Sequence, residues 1–286
     1  MAWTNAQNKV ISNNIYIGIP QVSQLPFFAN TRWSAEAENA KQVTIVGVGA
    51  VSIADYTPGS DITPTVGSPT AAVLTIDQFK QFFVTLDDTE KLVGDMLNAL
   101  STKSTQALSM YGDAYLLTLA TKANFSTNWY AGSADAAIDV NSANILDVLD
   151  ILGEKLDDQG VSQDGRFIVV PPKIKTKINT AMKETGLSIM PVENALLKKP
   201  GAFQVSGFSV LTSNQYAPIT GSGTYDYKIL YGTADAIAAA YIPPKVESGR
   251  LEKQFADYTK GLFSYGAKVL DEKTGGAAYL KVVADT

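Results

Sequence analysis

The sequence predicts an α+β fold, on three observations. Two long runs rich in β-branched and aromatic residues, 42–54 and 71–86, are typical of strands. A run with approximate helical spacing of apolar residues follows over 88–123. Short strand-like and helix-like segments then alternate over 141–244, and strand-like alternation closes the chain from Lys245 onward.

The composition argues against several classes of enzyme. The chain has 286 residues, of which 18% are charged, and a formal net charge of −5. It contains neither cysteine nor histidine, which excludes disulfides, thiolate nucleophiles and Ser-His-Asp triads. The acidic balance argues against a protein that coats nucleic acid, because such proteins need dense Lys and Arg. The rather low charged fraction fits a surface that other subunits partly cover.

Residues 1–40 are predicted to form an arm that lies on another surface. They show no sustained period, and Pro20 and Pro26 exclude a long helix. Large apolar side chains such as Phe28 and Trp33 are scattered through them, which is unusual for a frayed terminus. No secretory signal is predicted, and the longest apolar windows fall short of the roughly 20 residues of a membrane span.

A polar segment separates the two long strand-like runs. Over 57–70 only Ile62 and Val66 are apolar, and the rest is Thr, Pro, Gly, Ser and Asp, which is the chemistry of turns. We predict that runs 42–54 and 71–86 pair as a projecting hairpin with this segment at its tip. A two-stranded hairpin is not stable alone in water, so it needs another surface to lie on.

The long helix is predicted to begin at a capping box of Asp87 and Glu90 and to extend over 88–123, about 54 Å at 1.5 Å per residue. The α/β pattern that follows has clear stop signals. A helix ends at Gly160, and the buried strand "RFIVVPP" is stopped by a Pro-Pro pair before the helix "KIKTKINTAMKE". "FQVSGFSVLTSN" predicts a further pair of strands.

No catalytic, cofactor-binding or metal-binding residue is predicted. Gly47 and Gly49 follow a strand, as in a dinucleotide-binding turn, but the chain reaches Pro58 and Gly59 before any helix could receive a pyrophosphate. The charged clusters have simpler explanations. A helix cap explains Asp87, Asp88 and Glu90. Solvated helix faces explain two further clusters, which are Asp147, Asp150, Glu154, Asp157 and Asp158, and the four lysines of "KIKTKINTAMK".

The order of these segments resembles the major capsid proteins of tailed bacteriophages, which share the Hong Kong 97-type fold. Four stretches carry the likeness over nearly the whole chain. "LTIDQFKQFFVTLDDTE" (Leu74–Glu90) resembles the return strand of the family's extended loop running into its spine helix, and "GRFIVVPPKIKTKI" (Gly165–Ile178) the axial-domain strand that enters a helix. "FQVSGFSVLTSNQY" is similar to the strand pair that follows, and "ESGRLEKQFADYTKGLFSYGAKVL" (Glu247–Leu270) to the closing strands of the peripheral domain.

The resemblance implies a division of the chain and a role for the polar segment. The division is an N-terminal arm in 1–40, an extended β-hairpin loop in 41–86, a peripheral domain with the long spine helix in 87–140, an axial α/β domain in 141–244, and the closing strands of the peripheral domain in 245–286. The polar segment becomes the tip of an arm that reaches over a neighbouring subunit. Its prolines then lower the entropy lost on docking.

The resemblance also implies a function, that of a self-assembling structural protein and not of an enzyme. Copies of the chain are expected to form hexamers and pentamers of an icosahedral shell, in the virion, around double-stranded DNA bound without sequence specificity. We expect assembly in the host cytoplasm with a separate scaffolding protein and a portal, since the chain starts directly in the arm. Some family members cross-link through a loop lysine; Lys80 is the only lysine well inside this loop, and nothing in the sequence predicts that bond.

Three alternatives remain open at the level of sequence. An encapsulin, a cellular shell of the same fold, is disfavoured because "MAWTNAQNKVISNN" does not resemble its helical opening. A small-molecule enzyme could use only carboxylates and lysines of the α/β part. A tail or baseplate protein would assemble into rings instead of closed shells.

Overall fold

The computed structural model describes residues 28–48, 55, 58–59, 69–88, 96–185, 203–216 and 225–285. The α-helices of this part are α1 (Ser34–Asn39), α2 (Met96–Thr118), α3 (Ile145–Asp158) and α4 (Pro172–Glu184). Its strands are β1 (Gln42–Val48), β2 (Pro69–Thr75), β3 (Gln78–Asp87), β4 (Trp129–Tyr130), β5 (Ile138–Val140), β6 (Phe167–Val170), β7 (Phe203–Val205), β8 (Phe208–Thr212), β9 (Tyr225–Gly232), β10 (Ile237–Arg250), β11 (Ala256–Val269) and β12 (Gly275–Val282). In these ranges no helix has the length and apolar character that a bilayer crossing demands.

The described strands form three sheets. β1 and β2 pair antiparallel as a ribbon, and β10, β11 and β3 form a small antiparallel sheet in that order. The remaining strands form a large mixed sheet, in which β4 and β5 lie parallel to β12 and the order continues through β9, β6 and β8 to β7. The predicted α+β class is confirmed.

The large sheet holds the main core. α3 and α4 cover one of its faces, with a buried cluster that includes Leu149, Leu152, Leu156, Ile168, Ile174, Ile178, Phe208, Tyr231 and Leu280. Part of the opposite face is covered by Phe28, the end of α2 and Phe125. The described end of the predicted arm therefore packs on its own chain: Phe28 is buried, and the Asn30 backbone N–H donates to the Ile237 carbonyl over 2.8 Å.

The helices of this core begin and end where the sequence signals predict. α3 ends before Gly160, whose φ of +70° is the left-handed conformation that glycine adopts without strain. α4 starts at Pro172, where the missing N–H costs no hydrogen bond. β7 and β8 form the predicted strand pair, joined at Ser206 and Gly207, both with positive φ.

α2 lies on one face of the small sheet. Its Leu108 packs with Phe263 and Tyr265 of β11 and with Phe82 of β3. The Tyr115 ring meets the Tyr265 ring edge-on at a centroid distance of 5.5 Å. This packing makes the small sheet and the long helix one layered unit.

The run 71–86 is two strands, which corrects the prediction of one long strand in a hairpin. β2 pairs with β1, but the chain leaves the ribbon after Thr75 and continues as β3, which pairs with β11. The transition passes directly over Gly266 of β11. A Cβ there would lie 2.1 Å from the Thr75 carbonyl oxygen and 2.9 Å from the Ile76 Cα, so only glycine allows the crossing.

The predicted capping box stays a prediction, because the residues after Asp88 and up to 95 lie outside the described part of the chain. Asp87 is the last residue of β3 and pairs with Ala256, and the Asp88 carboxylate accepts a hydrogen bond from Arg250. Glu90 lies outside the described residues. The described part of the long helix ends at Thr118, where a turn follows, whereas the prediction placed its end at residue 123.

Two strands depart from the predicted division of the chain. β12 was assigned to the closing strands of the peripheral domain, yet it lies in the large sheet beside β9. β10 runs continuously through the predicted boundary at 244/245, with a shift in register between Ile242 and Lys245. The pairing of β12 with β9, which is remote in sequence, places it in the large sheet, whereas β10 pairs with β11, the next strand along the chain. The domain boundaries themselves stay a prediction.

We expect Gly266→Ala to destabilise the fold by about 1–3 kcal/mol, because the new methyl group meets backbone that cannot move aside. Gly153→Ala in α3 is the matched control. Its Cβ would make only ordinary contacts, the nearest at 3.7 Å, and replacing glycine in a helix gains up to about 1 kcal/mol. Urea unfolding midpoints of the two variants should move in opposite directions; a shared direction would contradict the crossing argument.

The C-terminal tail ties α3 to α4 through Asp285. One carboxylate oxygen lies 2.7 Å from Lys177 Nζ on α4, and the other accepts the Ser142 backbone N–H over 2.9 Å just before α3. The hydrogen bond from Lys177, followed by that from Ser142, lowers the pKa of Asp285 below its ordinary value. The carboxylate is therefore held in its charged form in the folded chain.

We expect Asp285→Asn to lower the melting temperature of the isolated chain at pH 7. A carboxyl group whose pKa is lowered by folding stabilises above its unfolded pKa of about 3.9, and this contribution disappears as the pH falls through the lower folded value. The difference between the native chain and the variant should thus shrink below about pH 4. Asp150→Asn, at an exposed position of α3, is the control and should leave the melting temperature at pH 7 nearly unchanged.

Candidate interaction surface

The two faces of the small sheet differ in what covers them. Side chains of β3 alternate, so that Phe82 and Leu86 point to the face on which α2 lies. Lys80 is on this same face, with its ammonium 5.5 Å from the centroid of the Tyr111 ring. Every second residue of β3 therefore points to the covered face.

The other face carries large apolar side chains that remain exposed. Phe79 of β3 is 53% exposed, Phe83 57%, and Leu262 of β11 45%. Register places them together, because Leu262 is paired with Gln81, which lies between the two phenylalanines on the same face. We call Phe79, Phe83 and Leu262 the apolar face. Exposed apolar side chains grouped in this way mark sites where proteins bind one another.

Polar and aromatic groups border the apolar face on one side. The Tyr258 ring stacks on the Phe83 ring at a centroid distance of 5.6 Å and an interplanar angle of 28°. Lys260 Nζ lies 2.9 Å from a Glu247 carboxylate oxygen and 5.8 Å from the centroid of the Tyr258 ring. The Glu247 carboxylate raises the pKa of Lys260. An apolar centre with a polar border is the usual anatomy of a protein interface.

The ribbon has a second exposed apolar surface. On one face Val43 and Leu74 are paired and buried against α1 and β10. On the opposite face Val46 is 69% exposed and Val73 45%. The ribbon therefore leaves apolar side chains uncovered on the face that points away from its own core.

A third exposed group lies at the turn between β10 and β11. Phe255 is 80% exposed, and its carbonyl accepts the Asp88 backbone N–H over 2.9 Å. Arg250 at the base of the turn bonds the Asp88 carboxylate and lies 3.7 Å from Asp257. Asp88, followed by Asp257, raises the pKa of Arg250. These contacts hold the backbone of the turn, while the Phe255 ring extends into solvent.

The charged residues weighed in the sequence do not converge on one site. The acids of α3 named above are exposed along that helix, and the lysines of α4 are exposed or half-buried. Gly47 lies within β1 opposite Thr70, not at the start of a helix. Among the described residues, no three Asp or Glu side chains come together in a way that could hold a metal ion.

Sequence reasoning treated Phe79 and Phe83 as strand residues and did not identify Leu262, Tyr258 or Phe255 as surface contacts. The adjacent pair Phe82-Phe83 was a usable signal, because neighbours in a strand point to opposite faces. Phe255 ends the polar sequence "EKQ", where a large apolar residue has no local structural purpose. Leu262 and Tyr258 become a surface only through the pairing of β11 with β3.

No protein-family model matches the sequence, and no curated protein matches it. Solved structures do match. A structure from Mycobacterium phage Che8 superposes with a TM-score of 0.69 at 19% identity, over 97% of this chain and 98% of the other. The capsid structure of cyanophage Pam1 superposes with a TM-score of 0.70 at 12% identity, over 98% of both chains.

A structure of an encapsulin complex from Synechococcus elongatus is also similar, with a TM-score of 0.53 at 11% identity over 84% of this chain and 81% of the other. These likenesses show the fold, which is the Hong Kong 97-type fold predicted from the sequence.

Proposed function

We propose that this chain is the major capsid protein of a tailed double-stranded DNA phage and that its copies assemble into an icosahedral shell. The observation that carries the proposal is the match to the Pam1 capsid, which spans 98% of both chains with a TM-score of 0.70. Because almost every residue of both chains is matched, the likeness favours two proteins of the same kind and not two different proteins that share one domain. The role is structural, and the proposal assigns no catalytic residue.

The apolar face fits this role because a shell subunit must bury surface against its neighbours. Fully burying a Phe or Leu side chain is worth about 1.5–3 kcal/mol, and about half of each of Phe79, Phe83 and Leu262 remains available. One such contact is weak, but a shell repeats it at every subunit. Obligate assemblies bury thousands of Å² in this way.

The ribbon is proposed as the base of an arm that lies on a neighbouring subunit. Val46 and Val73 supply the apolar contact on the described part of β1 and β2. The turn-rich sequence 57–68 continues from it and falls mostly outside the described residues. Its prolines lower the conformational entropy that docking costs.

The remaining partners belong to the proposal as well. Copies close into hexamers and pentamers, with a separate scaffolding protein and a portal, in the host cytoplasm. Packaged DNA is enclosed without sequence-specific binding, and a net charge of −5 suits a wall to which DNA must not adhere. The virion is then the site of function.

An encapsulin-type compartment is the second candidate, since an encapsulin complex is among the similar structures. Its TM-score of 0.53 and its coverage of 84% are both below those of the phage structures. A capsid is therefore favoured.

Electron microscopy of the purified chain, expressed alone and with candidate scaffolds, tests the function. We expect closed polyhedral particles. Dispersed monomers under all conditions would contradict any shell, and short rings or tubes would indicate a tail component. Nucleic acid packaged during infection supports the phage capsid, whereas a bound protein cargo would identify an encapsulin.

We expect Phe79→Ser to leave the subunit folded and to impair assembly. Because about half of the side chain is left to bury, the loss is about 0.8–1.5 kcal/mol per subunit contact, which raises the concentration needed for assembly by roughly fourfold to tenfold. Gln81→Ser, at the next position on the same face, is the matched control and should assemble normally. Sedimentation measures the assembled fraction, and circular dichroism checks that both variants fold. Equal assembly of the two variants would exclude Phe79 from the interface.

A further inference from the structure

The turn between β10 and β11 combines a projecting side chain with a cavity. We call residues Leu251–Phe255 the hairpin tip. Phe255 is the most exposed of the large hydrophobic side chains in the described chain, at 80%. Its backbone is fixed by the hydrogen bond from the Asp88 N–H to its carbonyl. The Phe255 ring is therefore exposed to solvent on a backbone that a hydrogen bond holds in place.

An open cavity of about 720 Å³ lies beside the hairpin tip, on the same side of the small sheet as the apolar face. The stacked rings of Phe83 and Tyr258 form its apolar wall, and Thr85 lies next to them. Gly249 opposite Tyr258 gives the ring its room, because a Cβ there would meet the Tyr258 hydroxyl oxygen at 3.0 Å. An aromatic wall open to solvent is suited to receiving another aromatic ring.

Charges around the cavity are complementary between two copies of the tip. Arg250 and Lys260 already have carboxylate partners within the chain, in Asp88 and Glu247. Glu252 and Lys253 are exposed, adjacent and opposite in sign, and neither has an ion-pair partner among the described residues. A second tip placed against the first can match each of these charges with its opposite.

We propose that Phe255 of one copy inserts into the cavity of a second copy, against Phe83 and Tyr258, and that Glu252 and Lys253 pair across the contact. This proposal rests on the function proposed above, and it adds a defined contact to it. Phe255 adjoins the residues that line the cavity, so the two tips lie side by side in the proposed contact.

Phe255 does not fill the cavity of its own chain. Its side chain is 80% exposed, and it is not among the residues that line the cavity. The hydrogen bond from the Asp88 N–H to its carbonyl holds its backbone in this position. The cavity is therefore open to the Phe255 ring of another copy.

Two single-cysteine variants, Gln254→Cys and Thr85→Cys, keep Phe255 in place and test the contact when they are co-assembled and mildly oxidised. The chain has no cysteine of its own, so every disulfide reports an introduced pair. A disulfide between two different variants is necessarily intermolecular, and it requires the two Cα atoms to come within about 7 Å. We tag one variant so that the mixed dimer is resolved by mass.

The expected result is a mixed dimer at least tenfold more abundant than in the control, in which Gln81→Cys replaces Thr85→Cys. Gln81 lies on the same face but outside the cavity. Particles that form without the mixed dimer would overturn the proposed contact while leaving the shell intact. A dominant dimer of Gln254→Cys with itself, formed without the mixed dimer, would also overturn it, because Phe255 would then face its counterpart instead of the cavity.

A charge exchange gives an independent readout with Phe255 in place. Glu252→Lys makes both charges of the tip positive and should lower the melting temperature of the particles, more strongly at low salt. Adding Lys253→Glu restores opposite charges in exchanged order and should recover most of that loss. Equal destabilisation by the single and the double variant would contradict pairing across the contact.

Discussion

The structure depends on a small sheet that the described residues cover on one face only. Antiparallel sheets with a single packed face normally turn polar side chains to water on the other. The small sheet instead places Phe79, Phe83 and Leu262 there, while α2 occupies the opposite face. A stable layered architecture needs a partner for every apolar face, and within the described residues that partner is missing. A second chain is the natural source of the missing layer.

Packing on the covered face of the small sheet fixes the positions of the side chains on its exposed face. The Phe82 ring lies over Gly261, where a Cβ would come within 2.2 Å of it, so β3 and β11 are tightly seated on each other. Because Phe83 follows Phe82 in the strand, its direction is set by that seating, and Tyr258 stacks against it. An interface whose side chains are already ordered loses less entropy on association. Interior packing and assembly are thus coupled through a single strand pair.

Local sequence signals predicted the helices that pack on the large sheet. They did not predict the strand arrangement, which depends on pairing between residues far apart in the sequence. α3 and α4 follow from helical periodicity, Gly160 and Pro172, which act within a few residues. The break between β2 and β3 depends on Gly266, almost 200 positions further along the chain, and no property of 71–86 alone announces it. The place of β12 in the large sheet was not predicted for the same reason, since its partner β9 is identified only by the register of the folded sheet.

The interaction surface was only partly visible in the sequence, and the visible part is instructive. In "QFKQFFVTL" Phe79 and Phe83 fall on one side of a strand and Phe82 on the other, which already requires apolar cover on both sides. Such a strand is either central to a two-sided core or completed by another molecule. The two cases differ in what lies on the second face, and only the structure decides between them, by leaving Phe83 more than half exposed. The same reasoning extends to any long strand with phenylalanine at both parities in a chain with few charges: when one helix of the chain covers one face, a contact with another molecule is expected on the other.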